Sequence, residues 1–325
     1  MYKYILKRLI MMIPVIVGVV TIVFIMNRLT PGNPARQLLG EDASEEAVEA
    51  MEEELGLNDP ILVQYVKYVW NIVTKGDFGI SYQTKQPVIT EVLARFPTTF
   101  MLALVSMAFA TIIGIPVGII SATRQYSWID NCSMVVALAG VSMPNFWQGL
   151  MNIIIFSVWL GWLPSTGFYS WQHWILPALT IGTSSAATIT RMTRSSMLEV
   201  IRQDYIRTAR AKGQKEKTII IHHALKNALI PIITVVGIQF GGLLGGAVLT
   251  ESVFAIPGLG KFMLDAIKAR NYPIVQGGVL FLALVFSFVN LLVDIGYAYI
   301  DPRVRSMYRK EAKRPAAQPV AGEEG

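Results

Sequence analysis

The stretch Asp204–Pro231, "DYIRTARAKGQKEKTIIIHHALKNALIP", decides how this chain is read. It carries six Lys or Arg in an otherwise oily sequence and closes on a proline that opens another apolar run. Leu198, Ile201, Tyr205, Thr208 and Lys212 follow spacings of three and four, which predicts a helix. On it Leu198, Ile201 and Tyr205 share one face, with Arg202, Arg207 and Arg210 largely elsewhere. Gly213 suits the position just past a helix end, where φ is often positive, and Arg210 and Lys212 suit the negative end of the helix dipole. After the break, "KEKTIIIHHALKNALIP" predicts a second helix that feeds the apolar run beyond Pro231. Two helices meeting at a glycine corner form a rigid foot. A structureless basic loop would serve only as an orientation signal and a contact for anionic lipid. Helix periodicity with a glycine stop favours a docking surface for a cytoplasmic partner.

Outside this stretch the solvent is lipid. Only 15% of the 325 residues are charged and 53% are hydrophobic, against about a quarter charged in a soluble domain. A membrane-crossing helix needs about 20 apolar residues. Six stretches qualify as expectations: Leu9–Leu29, Thr98–Thr123, Cys132–Leu160, Trp174–Thr190, Pro231–Leu249 and Val275–Ile300. The third is too long for one crossing and contains "VSMPNFWQG", which predicts a kink at Pro144. The fourth is the least apolar. Lys and Arg gather before the first span, between the second and third, after the fourth, and in the tail, whereas Gly161–His173 has neither. Both termini are therefore expected in the cytoplasm, and the net charge of +6 reflects orientation rather than nucleic-acid binding. The N-terminal run is near 20 residues with no small-residue cleavage site after it, so it reads as an uncleaved span.

Between the first two spans lies a polar segment with eleven acidic and five basic residues from Gly32 to Phe96. "TPGNP" breaks the first helix. "EDASEEAVEAMEEELGLNDP" reads as an acidic helix ending near Gly56. "PILVQYVKYVWNIVTKGDFG" reads as an amphipathic helix with Ile61, Tyr65, Tyr68, Val69 and Ile72 on one side, Pro60 in its first turn and Gly76 past its end. Together they predict a small helical cap on the outer face. The tail from Met307 is rich in Pro, Ala and Glu and reads as disordered.

Several chemistries are excluded or left without support. "IPGLGKF" (Ile256–Phe262) mimics a phosphate-binding loop, but Ala255 stands where its first glycine must be and Phe262 where Ser or Thr would hold magnesium. The single cysteine, Cys132, excludes an intrachain disulfide framework. The three histidines, His173, His222 and His223, form no metal-ligand pattern, and no nucleophile–base set emerges, so a membrane enzyme or scaffold has little support. Asp294, an acid within the last span, is either functional or the partner of a basic loop residue. Small residues are more telling. Gly237, Gly241 and Gly245, with Gly242 and Gly246, recur every four residues in the fifth span, and Gly114 and Gly118 flank Pro116 in the second. Such faces allow tight packing or a mobile interface. Gln239, at mid-span, would supply hydrogen bonds to a passing solute.

The foot resembles the cytoplasmic coupling motif of permease subunits of bacterial ATP-binding-cassette importers, in the dipeptide/oligopeptide/nickel branch. The branch pattern "DYxRTARAKG…HALrNALIP" is matched by Asp204, Tyr205, Arg207 to Gly213, His223 to Leu225 and Asn227 to Pro231. "PGNPA", "LGLNDPILVQY", "GDFGIS", "RFPTTFMLAL", "VSMPNFW", "ESVFAIPGLGKF" and "DPRVR" extend the likeness over nearly the whole chain. Arg207 stands where the general importer motif opens with Glu. The resemblance implies an all-α, six-span type I transmembrane domain and a B-type subunit that is not itself catalytic. Residues 1–96 would form the first span and external segment, 97–303 the transmembrane domain with a coupling loop at 191–230, and 304–325 a tail. It further implies a second homologous permease, two cytoplasmic ATP-binding subunits that hold ATP and magnesium, and an external substrate-binding protein, with no cofactor on this chain and the cytoplasmic membrane as its location. The cargo would be di- or oligopeptides, with nickel or a small solute such as glutathione as the alternative. Asp204, Tyr205, Arg207, Thr208, Ala209, Arg210, Lys212, Gly213 and Pro231 would serve the ATPase coupling. Pro144, Asn145, Gln239, Gly241, Gly242 and Glu251 are the candidates for the translocation path.

Overall fold

Lipid offers no partner for a bare backbone, so an apolar run that crosses it must satisfy its own N–H and C=O groups as helix. The computed structural model describes residues 2–29, 32–40 and 42–300, and Asp294, although within a helix, has a side chain outside the described set, as does the whole tail. The helices are α1 (Tyr2–Leu29), α2 (Pro34–Leu39), α3 (Glu45–Glu54), α4 (Ile61–Lys75), α5 (Val88–Thr123), α6 (Trp128–Ser142), α7 (Asn145–Asn152), α8 (Ile175–Ile201), α9 (Asp204–Ala211), α10 (Glu216–Thr218), α11 (Lys226–Gly246), α12 (Val248–Val253), α13 (Leu259–Lys268) and α14 (Tyr272–Ile300).

Among the described residues, four helical stretches are long and apolar enough to cross a bilayer: Leu6–Met26, Val88–Thr123, Glu216–Gly245 and Tyr272–Val293. The other two expected spans differ for physical reasons. The third is broken at Met143–Pro144, as its proline predicts, into α6, α7 and a π-helical turn at Ile153–Trp159. The fourth is α8, whose Ser, Thr and Arg content lowers its apolarity while it runs eleven residues past the expected end at Thr190.

α5 and α8 form the spine of the fold, and small residues let their backbones close up. A Cβ on Gly118 would lie 2.5 Å from Thr193 Cβ, one on Gly114 2.9 Å from the Ala186 carbonyl, and one on Gly182 2.7 Å from the Phe109 ring. The Gly114/Gly118 face is therefore tight packing within the chain. In α11 the small face divides. Gly237 and Gly241 press on Val293 and Phe286 of α14, whereas Gly242 and Gly245 meet nothing within 4 Å.

The external segment folds as its turn signals predict. Asn33 caps α2, Ser44 caps α3, and Gly76 closes α4 at φ 61°. α4, however, is laid against α1. The Tyr65 hydroxyl is 2.7 Å from Thr21 Oγ1, and Phe24 sits against the rings of Tyr65 and Tyr68. α4 also carries exposed apolar side chains, Leu62, Val66, Trp70 and Val73. An apolar groove of about 380 Å³ separates that end of α4 from Ile16, Val17 and Val20 of α1.

Candidate functional site

α8 ends at Ile201, and only Arg202 and Gln203 separate it from α9. Gln203 is extended (φ −72°, ψ 150°) and starts a new helix instead of continuing the old one. This break shifts the face predicted from the spacing. Ile206, fully buried, anchors the foot, and Tyr205 stays 43% exposed. Ile206 packs with Ala122, Met197, Ile219, Ala224, Ala228 and Ile232, and complete burial of an isoleucine contributes about 1.5–3 kcal/mol. One apolar residue thus fastens α9 to the end of the membrane unit and leaves its polar side outward.

The corner beyond α9 is held by backbone and side-chain hydrogen bonds. Gly213 takes φ 76°, the left-handed conformation that glycine adopts without penalty. Its N–H donates to the Arg210 carbonyl at 2.9 Å, and that of Gln214 to the Ala209 carbonyl at 3.3 Å. Across the corner Arg210 Nε donates to Glu216 Oε1 at 2.7 Å and Nη2 to Oε2 at 3.3 Å. The guanidinium holds the Glu216 carboxyl below its usual range, and the carboxylate in turn raises the Arg210 guanidinium. Asn227 Nδ2 donates to the Tyr205 hydroxyl at 2.9 Å, and His223 Nε2 lies 2.7 Å from Gln214 Oε1. Asp204, Arg207, Thr208, Lys212 and Gly213 are exposed, and Ala209 packs against the core beneath.

The second limb is one continuous helical rod from Glu216 to Gly246, with a π-helical segment at Ile219–Leu225. The wider turn places Ile219 and Ala224, five residues apart, on the same buried stripe as Ala228 and Ile232. His222 is left exposed and His223 half-buried. Pro231 lies inside the rod at the entry to its apolar part.

The nine predicted foot residues therefore gather on one element and its corner, except Pro231, which lies in the rod. The path candidates do not form one cluster. Pro144 caps α7 and Asn145 begins it. Gln239 is half-buried with Nε2 3.4 Å from Ser185 Oγ. Gly241 sits under Phe286, and Gly242 is open. Glu251 is fully buried in α12. Its Oε1 accepts the Thr99 hydroxyl at 2.6 Å and its Oε2 the Lys261 N–H at 2.8 Å, while Thr99 Oγ1 accepts the Leu259 N–H at 2.8 Å. The "IPGLGKF" stretch wraps this carboxylate so closely that a Cβ on Gly258 would lie 2.3 Å from Glu251 Cδ. That is the role its glycines play. α12 also packs on α7, where a Cβ on Gly149 would lie 3.2 Å from the Phe254 ring.

Sequence reasoning passed over Asp130. It is 1% exposed and paired with Arg194 through two hydrogen bonds of 2.7 and 2.8 Å. Ser127-Trp-Ile-Asp130 has the Ser-x-x-acid spacing of a helix start, and Ser127 Oγ accepts the Asp130 N–H at 3.3 Å. That spacing marks the start of α6 but not the pairing with Arg194. Among the described residues, no three His, Cys, Asp or Glu side chains gather as a metal ion would require.

Residues 114–306 match the family described as binding-protein-dependent transport system inner membrane component, and residues 1–103 match its N-terminal counterpart. The chain is 46% identical to the dipeptide transport system permease protein DppB of Alkalihalophilus pseudofirmus, covering 94% of this chain and 100% of that protein. It is 44% identical to the glutathione transport system permease protein GsiC of Escherichia coli K12, covering 94% and 99%. Among solved structures it is similar to a chain of the MetNI methionine ABC transporter in an inward-facing conformation. The TM-score there is 0.57 at 20% identity, over 66% of this chain and 99% of that one.

Proposed function

The chain belongs to the binding-protein-dependent transport system inner membrane component family, and on that premise we propose that it carries dipeptides and short oligopeptides through the cytoplasmic membrane as a non-catalytic permease subunit. ATP-binding subunits in the cytoplasm would supply the energy, and a second permease and an external binding protein would complete the path. The termini and foot would face the cytoplasm, the orientation that the Lys and Arg distribution favours although Lys261, Lys268 and Arg270 dilute it.

The observation that carries this reading is the foot. It is an exposed, basic corner closed by Gly213, braced by Arg210–Glu216, and continuous on one side with a membrane-crossing rod. A partner that grips such a corner in two geometries can shift the membrane helices between two states, because the corner does not absorb the displacement. Arg207, Arg210 and Lys212 offer charge-assisted hydrogen bonds to that partner.

Glutathione is a second reading, favoured by the 44% identity to a glutathione permease. Uptake into vesicles that hold the assembled transporter separates the two. Labelled dipeptide uptake should resist excess glutathione and nickel and yield to unlabelled dipeptide. Competition by glutathione alone would transfer the assignment. Gly213→Val should abolish ATP-driven uptake of whichever cargo is carried, and normal uptake in that variant would remove the coupling role from the foot.

A further inference from the structure

We propose that the Asp130–Arg194 pair is the joint that passes displacement of the foot into the helices of the membrane unit, an inference that rests on the coupling role of α9. Both residues are positioning residues, and neither meets cargo.

α8 is a single rod whose cytoplasmic end bears the foot. Arg194 lies seven residues before its last residue, a rise of about 10 Å. There Asp130 takes hold of it from the first turn of α6. The carboxylate also accepts the Ser121 hydroxyl from the end of α5 and, at 2.9 Å, the backbone N–H of Tyr126 in the turn between α5 and α6. One carboxylate therefore ties three helices, and its four donors leave neither oxygen unpaired. Tyr126 sits at φ 64°, a conformation a non-glycine residue keeps only when its surroundings impose it. Arg202 adds a second, longer link at 3.4 Å to Gln125 in the same turn.

Two features mark this as a joint rather than ordinary packing. The α5–α8 contact beside it is built from Gly118 and Thr193, small groups that fix separation but resist sliding weakly. A bidentate guanidinium–carboxylate pair is directional and fixes rotation and register as well. The Asp130 side chain is 2% and that of Arg194 24% exposed, and ion pairs drawn out of water are weak contributors to stability compared with apolar residues of the same volume, so a role in holding a specific geometry accounts for this one better than stability does. Without it, α8 would rock about its glycine contact when the foot is displaced.

The test uses the complete transporter, with its partner subunits, in proteoliposomes. ATP hydrolysis and dipeptide uptake are measured in the same vesicles for Asp130→Asn and Arg194→Lys. ATP hydrolysis should stay within about twofold of wild type while uptake per ATP falls about tenfold, more for Asp130→Asn than for the charge-retaining Arg194→Lys. A covalent bridge should restore the ratio without restoring charge. For this Asp130→Cys and Arg194→Cys are combined with Cys132→Ser, because Cys132 is exposed and would compete for the crosslinker, and a short bismaleimide is added. Unchanged uptake per ATP in both single variants, or no recovery on bridging, overturns the proposal. If neither single variant accumulates in the membrane, the pair serves folding and the proposal is likewise overturned. Gly213→Val in parallel separates the two readings. Normal uptake there removes the foot itself, whereas loss there with a normal ratio at Asp130 removes only the joint.

Discussion

Arg210 and Glu216 face each other across Gly213, guanidinium to carboxylate, with Nε–Oε1 at 2.7 Å. The pair closes a loop of backbone already bent by glycine, so it braces a geometry rather than creating one.

Both side chains are substantially exposed, 41% and 59%, and exposed pairs contribute about 0–1 kcal/mol. Arg210 holds the Glu216 carboxyl below its ordinary value of 4.5. A depressed carboxyl stabilises the fold above its unfolded value, and that contribution is lost as pH falls through the folded value. A spin label at Lys212 should therefore show unchanged mobility from neutral pH down to about 5 and a rise at more acid pH. Glu216→Gln should show the raised mobility at every pH. A label equally restrained in both would remove the brace.

Thr99 stands between Glu251 and the Leu259 N–H, donating a hydrogen bond to the first and accepting one from the second. Thr99→Val leaves a buried carboxylate oxygen and a buried N–H without that partner, at a cost of about 1–3 kcal/mol. Thermal unfolding of the purified chain, followed by tryptophan fluorescence, should move down by several degrees. Thr99→Ser, which keeps the hydroxyl, should stay near wild type. Equal midpoints for Val and Ser would make the hydroxyl irrelevant.

Gly237 and Gly242 are five residues apart on α11, and alanine should affect them in opposite directions. On Gly237 the new Cβ would fall 2.2 Å from Val293 Cγ2, and overpacking of this kind costs about 1–3 kcal/mol. On Gly242 it meets nothing, and a helix gains about 0.5–1 kcal/mol from losing an interior glycine. Denaturation of the two variants should bracket the wild type. A stabilised Gly242→Ala chain that no longer assembles with a second permease would show that face to be covered in the complex.

Trp70 is 64% exposed and lines the apolar groove between α4 and α1, a helix long and apolar enough to cross the membrane. Phospholipids brominated on their acyl chains should quench its fluorescence, in a chain whose other six tryptophans are replaced by Phe. Quenching only by a water-soluble agent would return α4 to the aqueous cap that its charged neighbours suggest.

These outcomes follow how far the sequence could be read. Gly76, Gly213 and Pro144 mark their breaks because glycine and proline act on the backbone where they stand. The foot was legible for the same reason, except that Tyr205 was placed on its buried face. Gln203 breaks the helix with neither glycine nor proline, so the period runs unbroken through the break and puts the anchor one residue early. The Thr99–Glu251 contact joins residues 152 positions apart, and Asp130–Arg194 joins residues 64 apart. Such pairings exist only once the helices have docked, and no local signal carries them. In α4 the spacing marks one apolar side, and the exposed Leu62, Val66, Trp70 and Val73 extend the oil beyond it.

The π-helical segment at Ile219–Leu225 has a geometric corollary. It accommodates one residue more than a regular α-helical path would, between the Gly213 corner and Pro231. Rewinding the same residues as ordinary α-helix, with none removed, would swing everything before them by about 100°. The azimuth of the basic corner about this rod is thus set by the wide turn, and a rod that kept every residue but lost that turn would point its arginines at a different neighbour.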